Sequence, residues 1–254
     1  MNDRSYWEKL GKDYDSEVFD VFANDTARTV ASQIEAWAGP RKHAADFGCG
    51  VGKFLPLLSD GFATVRALDF SKSCLRDGEN RFRHLTNVAF QHFDMCSTRR
   101  ACGAVDFILS VNALLTPALD QQLAMFKTLS RHLKPGGHLV LVVPAMESAL
   151  LAADRMLQWN LRSGMTPRQA AKAARSRARR KELDIRSDGV VEIDGAATKH
   201  YRREELIDRL GGIGFEISSL DRVEYSWATE FNSPPRWMKA PLPWDWCVSA
   251  ARKW

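Results

Sequence analysis

The sequence predicts an α/β fold, a mostly parallel sheet with helices packed on both faces, and three observations point to it. A short apolar run containing Ala45-Asp46-Phe47 ends in Gly48-Cys49-Gly50-Val51-Gly52, three glycines at alternate positions, and a helical pattern follows at once. Further short β-rich runs alternate with stretches of helical periodicity as far as residue 143, the order that produces βαβ units. At 254 residues, with hydrophobic and charged contents of 45% and 26%, the chain suits one α/β domain with a complete core rather than two independent domains.

The glycine turn is where function enters. Glycines at this spacing let the backbone turn without a Cβ clash and let a ligand lie against the main chain, and a helix beginning near Val51 would aim its free N–H groups at the same place. Asp69 ends the next apolar run, Thr64-Val65-Arg66-Ala67-Leu68, about 20 residues on, where a carboxylate can accept from both hydroxyls of a ribose. A nucleoside-containing ligand is therefore expected. A dinucleotide fingerprint would need a glycine where Lys53 stands, so NAD is disfavoured.

Asp46, Gly48, Gly50 and Gly52 form Asp-x-Gly-x-Gly-x-Gly, which resembles the first motif of class I S-adenosylmethionine-dependent methyltransferases, in particular those acting on small molecules. The resemblance implies a Rossmann-like, seven-stranded, mostly parallel sheet with an antiparallel last strand. It also implies S-adenosyl-L-methionine as cofactor, with Asp46 near its methionine part, Asp69 on the ribose and Phe70 near the adenine. Asp94 and Met95, at the end of the third strand, would take the adenine amino group and donate a backbone N–H to the ring. With Cys49 in the turn, Ser110 and Asn112 at the fourth strand end, and the N-terminal Tyr14, these complete the expected cofactor-binding set.

In chain order, residues 1–40 read as a helical N-terminal cap, with Val18, Val21, Phe22, Val30, Ile34 and Trp37 at helical intervals and Gly39-Pro40 as a stop. Trp7 and Tyr14-Asp15 within it resemble an N-terminal signature of many small-molecule methyltransferases, in which an aromatic closes over the cofactor; packing of the cap onto the sheet is the other reading. Residues 41–144 form the cofactor-binding core. A helix from Lys53 to Ser59 is broken by Asp60-Gly61, Ser71 caps a helix to about His84, and Asn87 to Phe93 is the third strand. The continuous apolar run from Val105 to Val111 suits a parallel strand covered on both faces. Pro117 opens a helix to His132, and Leu133-Lys134-Pro135-Gly136-Gly137, another feature resembling the family, turns the chain into a fifth strand, Leu139 to Val143.

Residues 145–200 leave the alternation: two helical stretches, Met146 to Arg162 and Thr166 to Leu183, precede turns at Asp188-Gly189 and Asp194-Gly195. An insertion after the fifth strand sits where ligands bind in open α/β sheets, which makes it a lid. Its basic run, Arg175 to Lys181, is either a solvated helix face or a grip for an anionic substrate. Residues 201–254 supply the last helix and an antiparallel pair, Phe215 to Tyr225 and Trp246 to Ala251, joined by a Pro- and Trp-rich connection.

The chemistry the resemblance implies is in-line displacement of a methyl group from a sulfonium by an oxygen, nitrogen, sulfur or carbon nucleophile. A dry, well-aligned pocket supplies most of the acceleration, and a general base is optional. His200, then Tyr201, are the candidate bases, because both follow the lid and precede the last helix. The acceptor pocket is expected between Trp7 and Tyr14, the His200-Tyr201 passage and the Trp-rich connection, and its acceptor should be small and partly apolar or cationic.

The alternatives are weaker. The fourth strand end, Ser110-Val111-Asn112, lacks both the Asn-Pro-Pro-Tyr of methylases acting on base amines and the acidic motif of aminopropyl transferases. An RNA or protein methyltransferase rests on the basic run, and much of the net charge of +5 comes from the segment between Arg155 and Lys181; a non-catalytic cofactor-binding subunit is disfavoured by the intact glycines and acids. Five cysteines without paired short spacing predict neither a disulfide framework nor a metal site. With no apolar run of about 18 residues and no secretory layout at Met1 to Trp7, a cytoplasmic monomer or homodimer with a small-molecule partner is expected, with no membrane partner and nucleic acid disfavoured. Replacing Arg177, Arg179 and Arg180 with Gln is expected to leave cofactor affinity and the acceptor KM unchanged; a KM that rises steeply and depends on salt would assign the run to an anionic acceptor.

Overall fold

The computed structural model describes residues 19–99, 101–176, 189–193 and 196–254, with side chains in the second stretch as far as Ala174. Seven strands form one sheet: β1 (Gly39–Phe47), β2 (Phe62–Asp69), β3 (Val88–His92), β4 (Val105–Val111), β5 (Leu133–Pro144), β8 (Phe215–Glu224) and β9 (Trp244–Arg252). Their order is β3-β2-β1-β4-β5-β9-β8. The first five pair in parallel, and β9 runs antiparallel to both β5 and β8. This is the expected mostly parallel sheet with its antiparallel end. The order reverses between β1 and β4, so the strand ends diverge there and leave a crevice at the carboxyl edge.

Each face carries an apolar layer. On one, Phe126 and Leu129 of α5 (Leu119–His132) and Leu206 and Leu210 of α8 (Arg203–Gly212) pack onto Phe47, Ile108 and Leu141. On the other, Ile34 of α2 (Thr29–Trp37), Leu55 and Leu58 of α3 (Leu55–Gly61) and Leu75 of α4 (Lys72–Arg81) cover Ala44, Phe107 and Val142. Residues 139–143 are completely enclosed, as burial of both faces demands of a continuous apolar strand.

Several boundaries differ from the sequence reading. Among the described residues the cap is two helices, α1 (Val21–Asn24) and α2, because the Asp25 carboxylate accepts from the N–H groups of Thr29 (2.7 Å) and Val30 (2.8 Å) and starts a second helix. The helix after the glycines begins at Leu55, not near Val51, since Gly48, Gly50 and Gly52 all have positive φ and prolong the turn. Pro117 precedes its helix, which begins at Leu119 after Ala118. β5 already begins at Leu133. Ser71 caps α4 as read, its hydroxyl accepting from Cys74 N–H at 3.3 Å, although that helix stops at Arg81.

The segment after β5 contains α6 (Met146–Arg162), α7 (Pro167–Ser176) and a hairpin, β6 (Val190–Ile193) with β7 (Ala196–Lys199). The hairpin was not legible as strands in the sequence. The Trp-rich connection packs on α6: Trp227, Phe231 and Met238 meet Leu151, Met156 and Trp159.

At the edge of the sheet opposite the crevice, His138 is buried, stacked on Trp37 at 3.7 Å and hydrogen-bonded through Nε2 to the Ser249 hydroxyl at 2.6 Å. Burial, with Lys42 nearby, lowers its pKa from 6.5 to about 4. The unfolded chain takes up this proton near pH 6.5 and the folded one only near 4, so the contribution of His138 to stability is lost as pH falls between them. Between about pH 7 and about pH 4.5, His138→Gln should lose roughly 2–3 kcal/mol less stability than the wild type, read from denaturant melts at each pH.

Candidate active site

The turn after β1 is built on the end of β2. Gly48 and Cys49 N–H both donate to the Leu68 carbonyl, at 2.7 and 3.0 Å, and Gly50 N–H donates to Asp69 Oδ2 at 2.8 Å. The other oxygen of Asp69 accepts from Ser71 N–H at 2.8 Å. A Cβ on Gly48 would collide with that of Ala113 just past β4, and φ of +78° is itself a conformation few other residues accept. The glycine spacing therefore serves close packing between the β1 turn and the β4 end as well as the turn itself.

Before this turn lies a cavity of about 830 Å³, toward the upper end of the roughly 300–1,000 Å³ usual for ligand pockets. Asp46, Gly48, Cys49, Asp69 and Phe70 line it from β1 and β2, with Asp94 and Met95 from beyond β3 and Asn112 from the end of β4. The segment after β5 forms a further wall, through Ser148, Ala152 and Met156 of α6 and Val191, Ile193 and Thr198 of the hairpin. The topology thus brings the expected residues from four strand ends to one space.

Asp46 is electrostatically unfavourable where it sits. It is 3% exposed and makes no side-chain hydrogen bond to a described residue, and its pKa is raised from 3.8 to about 8, by burial first and by the charge of Asp69 second. A buried carboxyl group in a cavity wall with its pKa raised this far marks a functional site more often than a structural one. Asp94 Oδ1 accepts from Cys96 N–H at 2.9 Å, the turn-forming bond of a strand-end Asp. Met95 is buried, and its carbonyl accepts from the Thr128 hydroxyl at 2.6 Å. Asn112 occupies a left-handed conformation, φ +47°, which Asn tolerates better than most residues.

Other expected site residues are placed elsewhere. Gly50 and Gly52 shape the turn without lining the cavity. Ser110 is fully buried in β4 and donates to the Phe47 carbonyl at 2.8 Å, so it clamps β4 to β1 and does not line the cavity. Tyr201 is also fully buried and off the cavity wall, and it donates to the Leu114 carbonyl at 3.0 Å, with burial holding its phenol well above its ordinary pKa. His200 does line the cavity; its backbone N–H donates to Gly189 O at 2.7 Å and its Nδ1 bonds the Thr198 carbonyl at 3.1 Å. Burial lowers its pKa to about 4, so it stays neutral near pH 7 and is a weak proton acceptor there. Trp7, Tyr14, Asp15 and the basic run from Arg175 fall outside the described side chains.

On the far wall, Phe231 and Trp244 come from the Trp-rich connection expected there, whereas sequence reading missed Tyr225 and Asp245; Asp245 is carried there because β9 returns antiparallel beside β5, with Pro144 opposite it. Asp245 is 8% exposed and its pKa is raised by burial, against hydrogen bonds from Asn112 and Tyr225. The available signal was an acid inside the otherwise apolar run from Trp244 to Ala251. At the rim, Lys53 and Asp20 form a 2.6 Å ion pair.

Residues 44–137 match the protein-family model for a methyltransferase domain. The chain is 28% identical over 143 residues to phosphoethanolamine N-methyltransferase 3 of Arabidopsis thaliana, and 30% identical over 146 residues to phosphoethanolamine N-methyltransferase 1 of Triticum aestivum. Each alignment covers 54% of this chain and 29% of the relative, so the chain spans less than a third of these relatives' length. In fold it is similar to N-methyltransferase NodS from Bradyrhizobium japonicum in complex with S-adenosyl-L-homocysteine, with a TM-score of 0.64, 12% identity and 99% of each chain covered. It is also similar to a SAM-dependent methyltransferase from Methanosarcina mazei, with a TM-score of 0.62 and 20% identity, covering 86% of this chain and 96% of that one.

Tyr201→Phe should cost about 1–3 kcal/mol by stranding the Leu114 carbonyl while leaving turnover per folded molecule unchanged. Thermal melts alongside S-adenosylhomocysteine release check both; loss of turnover with stability intact would restore Tyr201 to the chemistry.

Proposed function

We propose that the chain is a class I, S-adenosylmethionine-dependent methyltransferase, a reading supported by the methyltransferase-domain match over residues 44–137, and that it methylates a small-molecule nucleophile bound in the same cavity. The observation that carries the reading is the pair of buried carboxylates, Asp46 and Asp69, flanking a main-chain turn where the strand order reverses. The donor set fits the cofactor. Asp69 would hold the ribose hydroxyls, and Asp46, which has no side-chain hydrogen bond to a described residue, would face the positively charged methionine end. Phe70, Asp94 and Met95 would take the adenine.

Bound there, the cofactor supplies a methyl group on a positively charged sulfur. The protein's own part is to hold, align and dry the two reactants, which the enclosing wall of α6 and the hairpin supports. His200 would act as a neutral hydrogen-bond acceptor rather than as a strong base. A cavity walled by α6 and the hairpin favours a small acceptor over a macromolecule, and phosphoethanolamine, which the matched relatives' names carry, is the first acceptor to try. Among the described residues, no helix is long and apolar enough to cross a membrane.

Calorimetry with S-adenosylmethionine tests the reading. Asp69→Ala should weaken binding at least about tenfold, since it removes a charged hydrogen-bond acceptor worth about 1.5–3 kcal/mol. Gly50→Val, which forces a β-branched residue to a φ of +53°, should abolish it. Wild-type affinity in correctly folded Asp69→Ala would show the ribose site to be misassigned.

A further inference from the structure

Among the polar groups on the cavity wall that the reading above leaves unused, Asp245 is buried and held in a fixed orientation. Asp245, the second residue of β9, lies between Pro144 of β5 and Val223 of β8, and its Oδ2 accepts two hydrogen bonds, from Asn112 Nδ2 at 3.0 Å and from the Tyr225 hydroxyl at 2.9 Å. Its Oδ1 bonds no described residue. Asn112, having given its amide N–H to Asp245, leaves its own Oδ1 buried and unpartnered. Two acceptor oxygens are thus left over on adjacent side chains of the wall, and no Lys, Arg or His among the described residues forms an ion pair with Asp245.

Such an arrangement is costly unless donors reach it, because one oxygen of the carboxylate and the amide oxygen beside it are left without a donor among the described residues. It is also oriented: two hydrogen bonds fix the carboxylate plane, and Phe19 packs edge-on against Tyr225 at 4.6 Å, stiffening the ring that holds it. The group that satisfies two neighbouring acceptors and a buried negative charge is a cation with several N–H donors. A hydroxyl has one donor and no charge, and would leave an oxygen unpaired; a carboxylate or phosphate would be repelled.

We infer that Asp245 is the anchor for the methyl acceptor, its Oδ1 and the Asn112 Oδ1 together receiving hydrogen bonds from a primary ammonium group, with Tyr225 as the residue that positions the carboxylate. The acceptor is accordingly a small primary amine. This inference rests on the methyl-transfer reading of the cavity and sharpens it to a substrate class.

The test is calorimetric titration of the protein loaded with S-adenosylhomocysteine, using ethanolamine and phosphoethanolamine against their hydroxyl counterparts, ethylene glycol and 2-hydroxyethyl phosphate. The amines should bind and the hydroxyl compounds should not. Asp245→Asn should weaken amine binding about 30-fold or more, the loss expected when one partner of a buried charged pair is removed, with S-adenosylhomocysteine affinity within about twofold of wild type. Tyr225→Phe, which keeps the carboxylate and the apolar ring, should weaken amine binding by a smaller factor and serves as the readout if Asp245→Asn fails to fold. Hydroxyl compounds binding as tightly as amines, no amine binding at all, or unchanged amine affinity in both variants would overturn the inference. Failure of S-adenosylhomocysteine to bind the wild type would instead strike at the methyl-transfer reading itself.

Discussion

The Asp69 carboxylate is the constraint on which the site depends. By accepting from Gly50 N–H with one oxygen and Ser71 N–H with the other, it ties the turn after β1 to the start of α4. The Leu68 carbonyl takes two more N–H groups of the same turn. A glycine-rich loop pays heavily in entropy on ordering, and these bonds from one neighbouring strand end offset that cost. The turn is thereby shaped before any ligand arrives, which is what a preorganised binding site requires.

From this turn the cavity spreads along the carboxyl edge of the sheet, and its electrostatics follow from where the strands stop. Parallel strands deliver their last residues to one edge, so Asp46, Asp69, Asp94 and Asn112 come to the same space although they lie far apart in sequence. The antiparallel return of β9 adds Asp245 at the other end. Burying several acids together is unfavourable, and the raised pKa values of Asp46 and Asp245 record that cost. A cavity so lined favours ligands with hydroxyl donors and positive charge over anions.

The two candidate bases separate on the same physics. His200 and Tyr201 are neighbours in sequence, yet the chain at that point bridges to β5, with Ala145 paired to Tyr201. One side chain enters the cavity and the other enters the core beneath it. Sequence adjacency to the insertion could not distinguish them, because which of two successive residues faces a cavity is decided by what packs on each side.

The sequence by itself determined the order of elements, the glycine turn and the acids at the strand ends, because each rests on a local rule. Apolar runs of strand length, glycine at positive φ and an acid at the end of a β-run are all legible within a few residues. The break at Asp25, the start of α3 at Leu55 and the hairpin after α7 were not, because capping bonds and the prolonged turn settle those boundaries. Only the tertiary structure decided that Ser110 clamps two strands, that Tyr201 belongs to the core, and that Asp245, far down the chain, faces Asn112. Those facts depend on long-range register, and register is fixed by packing across the sheet rather than by any residue's own preference.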